Sequence, residues 1–190
     1  MPQQVCLTSD SLGKALIALG TDVTVWGKAE SKTINDLWQE LQKKECRILL
    51  EASGPVRETI AVVADISERE NPSRGQLREL EQTLKDGRTR KRDVMPGGHA
   101  FIDEPPASCL ARELEEEIGL LPGQYGFSLI NMFIEVKDSP SYPGLPTRYF
   151  KHVFKVFLGT SCPDVIRRPS FERKDFEDGT THLFGWMPAK

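Results

Sequence analysis

The chain has 190 residues, with 25 Lys+Arg against 28 Asp+Glu, a formal charge of -3 and 38% hydrophobic residues. That length supports about one domain plus an appendage, and the mild acidity argues against a general nucleic-acid binder, which needs a broad basic surface. No apolar run approaches the roughly 18 residues of a membrane span. The first residues carry neither the basic nor the apolar region of a secretory signal, and Cys6, Cys46, Cys109 and Cys162 are scattered without a Cys-x-x-Cys pair. Reduced thiols in a cytoplasmic protein are therefore expected, rather than a zinc site or a disulfide framework.

In chain order, Leu12, Ala15, Leu16 and Leu19 fall at helical spacing, with Ser9 or Asp10 as cap, and Val23–Trp26 reads as a short strand. Ile34, Leu37, Trp38 and Leu41 mark a second helix capped by Ser31 or Thr33. Arg47–Glu51 and Val56–Ile66 read as strands, the second with the continuous apolar run of a strand buried on both faces. Leu77, Leu80 and Leu84 predict a third helix over 73–85. A basic cluster follows, Arg88, Arg90, Lys91 and Arg92, and then Pro96-Gly97-Gly98.

The spacing predicts a helix over 105–118, with Asp103 as cap, prolines in the first turn and Gly119 as terminator. Ala107, Leu110, Ala111, Leu114 and Ile118 form its apolar stripe. Strands are expected at 127–136, 148–158 and 181–186, while Ser139–Thr147, with three prolines, is too proline-rich for a ladder. The result is an α/β chain with a seam near residue 45. It separates an N-terminal helical extension, 1–45, from a main domain, 46–190.

Glu113, Glu116 and Glu117 lie at i, i+3 and i+4, neighbours on one helix face. Three like charges there repel one another, so an isolated structural helix gains nothing from them. A hard divalent cation reverses the sign, since Mg²⁺ or Mn²⁺ prefers oxygen ligands and bridges carboxylates to substrate phosphates. Arg112 is placed to hold neighbouring carboxylates, including Glu104, in position. The full string is Gly98, five residues, Glu104, seven residues, Arg112-Glu113-Leu114, one residue, Glu116-Glu117, one residue, Gly119-Leu120. Chance agreement at nine constrained positions is on the order of 10⁻⁹ per starting point, so a merely solvated acidic face does not account for it.

This string resembles the signature of the Nudix hydrolase superfamily at every constrained position. The resemblance implies a Nudix-type α/β/α sandwich with a mixed sheet. It also implies a divalent-metal-dependent pyrophosphohydrolase cleaving a nucleoside diphosphate linked to another moiety X. Carried over, Glu113, Glu116 and Glu117 would ligate Mg²⁺ or Mn²⁺, joined by a carbonyl of Gly97 or Gly98, while Arg112 and Glu104 orient the cluster. The base that takes the proton from water would be Glu113 or an acidic residue of the 171–178 segment, of which Glu172 and Glu177 are the candidates. Arg88, Arg90, Lys91, Arg92 and Arg148 are the candidates for binding substrate phosphates.

His99, Lys151 and single aromatics such as Tyr142, Tyr149 and Trp186 are weaker candidates, and Cys109 is expected to pack. The rival reading is a nucleotide-sensing Nudix-fold module without efficient hydrolysis, with residues 1–45 as a partner or homodimer surface. The basic cluster also admits an inositol pyrophosphate or an RNA 5′ end as substrate.

Overall fold

A computed structural model describes residues 8–28, 31–68, 71–85, 87–175 and 179–188. The chain forms two compact units. One contains the chain up to Ile60 with Ala100–Asp103 and Phe133–Phe150; the other contains Ala61–His99, Glu104–Met132 and the chain from Lys151 onward.

In the first unit, α1 (Ser9–Ala18) starts at Thr8, not at Ser9 or Asp10. Thr8 and Ser11 cap one another reciprocally, which satisfies donors the first turn would otherwise leave open. The expected strand at Val23–Trp26 is instead a 3-10 turn, Val23–Val25, because the Asp22 carboxylate accepts from both the Thr24 N–H and its hydroxyl. α2 (Ile34–Gln42) begins at Thr33, with Asp36 completing the capping box.

β1 (Arg47–Glu51) and the first residues of β2 (Gly54–Glu68) form an antiparallel hairpin. The core of this unit gathers Leu12, Leu16, Trp26, Leu37, Cys46, Tyr142 and Leu145. Inside it the Glu40 carboxylate accepts from Lys32 Nζ (2.7 Å), Arg57 Nη2 (2.8 Å) and the Tyr142 hydroxyl (2.8 Å). Burial alone would push the Glu40 carboxyl up, but the two cations outweigh it and hold it below its ordinary range.

The second unit is built on a four-stranded antiparallel sheet of β3 (Gln76–Thr83), β4 (Thr89–Val94), β8 (Ser170–Lys174) and β9 (Thr181–Met187), in the order β4-β3-β9-β8. β3 occupies the stretch where the leucine spacing predicted a helix. The cause is a bulge. Glu79 faces Phe184 and Glu81 faces Leu183, leaving Leu80 as an extra residue. That inserted residue converts a two-residue alternation into the threefold spacing that mimicked a helix. It also brings Glu79 and Gln82, three apart, onto one face.

The remaining strands are β5 (His99–Ala100), β6 (Tyr125–Ser139) and β7 (Tyr142–Leu158). They belong to a five-stranded sheet ordered β1-β2-β7-β6, with β5 on β2. The expected proline-rich loop is a Pro140-Ser141 turn followed directly by strand. Burial of Tyr142, Leu145 and Thr147 anchors that strand, and the Pro143 carbonyl accepts from the Trp26 indole at 2.9 Å. The fold class is the expected α/β. Among the described residues no helix is long and apolar enough to cross a membrane.

Candidate active site

All the signature residues after His99 that carry charge lie in the second unit. Their helix, α3 (Pro106–Glu113), starts one residue later than its sequence suggests and has no side-chain cap. Asp103 does not serve it and pairs instead with Lys44 at 3.0 Å. From Leu114 to Ile118 the helix widens into one π-turn, a feature that often marks functional sites because it re-aims side chains within a helix. Gly119 closes it in the left-handed region at φ 80°, and the Leu120 N–H returns to the Leu114 carbonyl at 2.9 Å. Leu110, Leu114 and Ile118 are buried as expected, but Ala107 is exposed. Cys109 is buried, and desolvation pushes its thiol up to about 12, which suits packing and not nucleophilic attack.

The approach strand meets this helix through two glycines. The Val62 N–H donates to the Gly98 carbonyl (2.9 Å) and the Ala64 N–H to that of Pro96 (2.8 Å), which fastens the segment to β2. Gly97 has φ 149°, and a Cβ there would strike the Val62 carbonyl; at Gly98 a Cβ would overlap the Glu113 carboxylate. Gly98→Ala should therefore displace the Glu113 carboxylate and leave the remainder of the unit folded. Misplacing a reacting group by about 1 Å can cost ~10²-fold in rate, and steady-state assays alongside circular dichroism check that loss. A fully active, folded Gly98→Ala enzyme would contradict the placement.

Arg112 is the organiser. Its Nε and Nη2 donate to the two oxygens of Glu104 (3.2 and 3.0 Å), and its Nη1 donates to Glu113 Oε1 (2.7 Å) and Glu116 Oε2 (3.2 Å). Nη2 also reaches the His99 carbonyl at 3.1 Å. One planar guanidinium thus holds three carboxylates at once, the geometry at which Arg exceeds Lys. Burial pushes the Glu113 carboxyl up to about 7 in spite of Arg112. Glu117 lies beyond the reach of that cation and accepts from the Gly97 backbone N–H. Burial, followed by the charges of Glu113, Glu79 and Asp175, pushes it up to about 9.

Glu79 is the acidic neighbour that sequence reasoning missed. The β3 bulge aims it inward, where its Oε2 accepts from Arg92 Nε (3.0 Å) and its Oε1 meets His182 Nδ1 (2.7 Å). An ionised carboxylate can only accept, so Nδ1 carries the proton in that pair. The expectation of a helix over 73–85 concealed this arrangement. A strand with a threefold apolar spacing is the signal that could have revealed it.

The other candidates divide. Of the basic cluster, Arg90, Lys91 and Arg92 lie on strand β4 and Arg88 just before it, with Arg90 Nε donating to Gln82 Oε1 (2.7 Å) and Arg92 to Glu79, while Arg88 and Lys91 are exposed. Arg148 lies in the first unit and pairs with Glu51 (2.8 Å) and Glu58 (3.5 Å). Glu172 is exposed on β8, alternating with buried Phe171. It is Asp175, from the same segment, whose charge reaches Glu117. Glu177 lies outside the described residues. His99 is on β5; Tyr142 is fully buried, Tyr149 faces Lys137 Nζ at 5.3 Å, and the Trp186 indole donates to the Ile166 carbonyl at 2.9 Å.

Among the described residues no three His, Cys, Asp or Glu side chains converge as a ready-made metal cage. Arg112 draws Glu113 and Glu116 toward itself. The donor chemistry nevertheless fits a hard cation. The set is all oxygen, and after burial the charges of Glu113, Glu79 and Asp175 raise the cost of ionising Glu117, a repulsion that a bound divalent ion would relieve.

The family model of the NUDIX domain matches residues 68–189. Among solved structures, one from work on MutT of Aliivibrio salmonicida and Vibrio cholerae is 17% identical, covering 69% of this chain and 80% of that one, with a TM-score of 0.36. A NUDIX hydrolase from Nitrosomonas europaea is 19% identical, covering 56% of this chain and 63% of that one, with a TM-score of 0.34. No curated protein matches the chain. The family match spans well over half of the chain and contains every signature residue, and the chain therefore belongs to the NUDIX domain family.

Proposed function

We propose that the chain hydrolyses a nucleoside diphosphate linked to a further moiety X, with Mg²⁺ or Mn²⁺ held by Glu113, Glu116, Glu117 and a carbonyl of Gly97 or Gly98. The observation that carries this is the convergence of Arg112, Glu104, Glu113 and Glu116 beside the glycine pair, with Glu117 bonded to Gly97. When bound, the divalent ion supplies neutralisation of the anionic phosphate oxygens, whose repulsion otherwise protects a pyrophosphate bridge from water.

The protein's own groups do the remaining tasks. Arg112 fixes the carboxylate positions, and its bond to the His99 carbonyl ties the helix to the approach strand. Glu113, titrating near neutrality, is suited to take the proton from the attacking water, since a base is most effective with a pKa near the working pH. Glu79 and His182 hold Arg92 beside this face, and the exposed Arg88 and Lys91 of the same basic segment supply cations for the substrate phosphates. Residues 1–45 serve as an extension to the catalytic domain of 46–190. Cys46, Cys109 and Cys162 are free thiols, which suits a reducing compartment such as the cytoplasm.

A panel of nucleoside diphosphate derivatives, assayed with Mg²⁺ and Mn²⁺ by phosphorus NMR, tests the proposal. The expected products are a nucleotide and a phosphorylated X. Tight nucleotide binding without product under either metal would instead establish a sensing module.

A further inference from the structure

One face of the four-stranded sheet in the second unit carries a polar row. Arg90 stands opposite Gln82, Gln82 opposite His182, and His182 opposite Arg173. Residues directly opposite on paired strands share a face, so the four side chains line up across the sheet. The row ends at the signature helix, where the Arg173 guanidinium lies against Gly119; a Cβ there would come within 3.0 Å of its carbon. Beside the row, Glu79 is opposite Phe184 and Phe184 opposite Phe171, and the charge of Glu79 reaches Glu117.

Each polar group here has one fixed duty. Arg90 Nε donates to Gln82 Oε1 at 2.7 Å, which orients that amide and turns its nitrogen toward His182 Nδ1, 3.4 Å away. Two donors facing one another make no bond, so the Nδ1 proton goes to Glu79 Oε1 at 2.7 Å. Burial pushes the Glu79 carboxyl up, but the His182 bond and the Arg92 charge outweigh it and keep it ionised. Its second oxygen accepts from Arg92 Nε at 3.0 Å. Arg92 donates through Nε alone, so neither terminal nitrogen has a hydrogen bond to the described residues, and the side chain is 34% exposed.

The imidazole is clamped. It is 3% exposed and stacks on Phe184 at 5.9 Å, and Phe184 stacks on Phe171 at 5.3 Å. Its Nε2 is buried with no hydrogen bond among the described residues. A buried polar atom without a partner costs stability, and a phenyl ring such as that of Phe184 would pack there without the cost. Packing therefore does not account for a histidine at 182, whereas the Nδ1 bond to Glu79 does.

We propose that His182 is a positioning residue for substrate binding: its Nδ1–H fixes the Glu79 carboxylate, and that carboxylate aims the terminal nitrogens of Arg92 at the substrate's pyrophosphate. This role rests on the pyrophosphohydrolase reading above and adds to it the group that orients the cation. An arginine on an edge strand otherwise has many rotamers, and ordering it on binding costs entropy. Held through Nε by a carboxylate that is itself held, Arg92 keeps both terminal nitrogens for a bidentate contact with a phosphate. His182 acts only through Glu79 and Arg92.

Three variants separate this role from packing. His182→Phe keeps the stack and removes the donor, His182→Asn places an amide N–H close to the position of Nδ1, and Arg92→Ala removes the positioned group. Kinetics with Mg²⁺ use the nucleoside diphosphate derivative that the wild type cleaves fastest. In His182→Phe, KM should rise about tenfold, the effect of losing one charge-assisted hydrogen bond, with kcat changed by less than about threefold. His182→Asn should restore KM to within about threefold of wild type. His182→Phe should add nothing to Arg92→Ala, because both act through the same guanidinium. Calorimetric binding of methylenediphosphonate, a pyrophosphate analogue that water does not cleave, should follow the same order without turnover. Far-UV spectra check the fold, and His182→Gln, whose amide lies nearer the Nε2 position, replaces His182→Phe if the latter does not fold. Unchanged KM and analogue affinity on loss of the donor, or additive losses in the double variant, would overturn the role of His182 and leave the hydrolase reading intact. A wild type that cleaves nothing in the panel and does not bind the analogue would overturn both.

Discussion

Glu117→Gln should abolish hydrolysis and at the same time make the metal-free protein more stable at about pH 8. The carboxyl of Glu117 is pushed up to about 9 by burial and by the charges of Glu113, Glu79 and Asp175. In the unfolded chain it returns to its ordinary value of 4.5. The folded state therefore binds this proton more tightly, and the associated stability is fully present below the unfolded value and is lost as pH rises toward 9. At about pH 8 most of it is gone, and a neutral amide that still accepts from the Gly97 N–H relieves the strain. Each pKa unit corresponds to ~1.4 kcal/mol, so a gain of about 2–4 kcal/mol is expected. That is a rise of roughly 5–10 °C in Tm for a chain of this size. The gain should shrink to nothing as pH falls below 4.5, where the carboxyl is protonated in the folded and the unfolded chain alike. Turnover should fall by about 10³-fold or more, as the several kcal/mol of charge stabilisation from the bound ion is lost. Thermal melts in chelator at two pH values, with parallel assays in Mg²⁺, measure both effects. An active Glu117→Gln enzyme would remove Glu117 from the ligand set.

Arg112→Ala should have the opposite effect on stability. The side chain spends its donors on Glu104, Glu113, Glu116 and the His99 carbonyl. Without it Glu104 and Glu113, 13% and 12% exposed, remain beside one another with no compensating cation. Removing one partner from a largely buried charge cluster costs about 3–5 kcal/mol. Urea unfolding at neutral pH should show that loss, reduced at low pH as the carboxyls protonate. Arg112→Lys should recover only part of it, because an ammonium offers three donors and no planar fork to bridge three carboxylates. Equal stability of wild type and Arg112→Ala at neutral pH would show that Arg112 does not organise the cluster.

Much of the catalytic unit is legible in the residue order, because its geometry is set locally. Glu113, Glu116 and Glu117 must neighbour one another on any helix, Gly119 must end that helix, and Gly97-Gly98 must allow close approach. What could not be read depends on partners distant in sequence. The β3 bulge is defined by its pairing with β9, about a hundred residues away, and without it Leu77, Leu80 and Leu84 imitate a helical stripe. The inward position of Glu79 and its bond to His182 were therefore hidden. Similarly, the prolines after Ser139 suggested a loop, since the burial of Tyr142 against Trp26 and Glu40 is a tertiary fact. The π-turn also lay beyond prediction: Leu114–Ile118 has ordinary helix formers, and only packing distinguishes the wider turn.

The proposed role of Glu113, Glu116 and Glu117 is to hold a divalent cation. Calorimetric titration of Mn²⁺ into the metal-free chain at about pH 7.5, in two buffers of different ionisation enthalpy, tests it directly. Glu117 and part of Glu113 hold protons at that pH and must release them to act as ligands. Saturable binding with net proton release is expected, lost in the Glu116→Gln/Glu117→Gln variant. Binding of equal affinity in that variant, or no binding by the wild type, would contradict the claim.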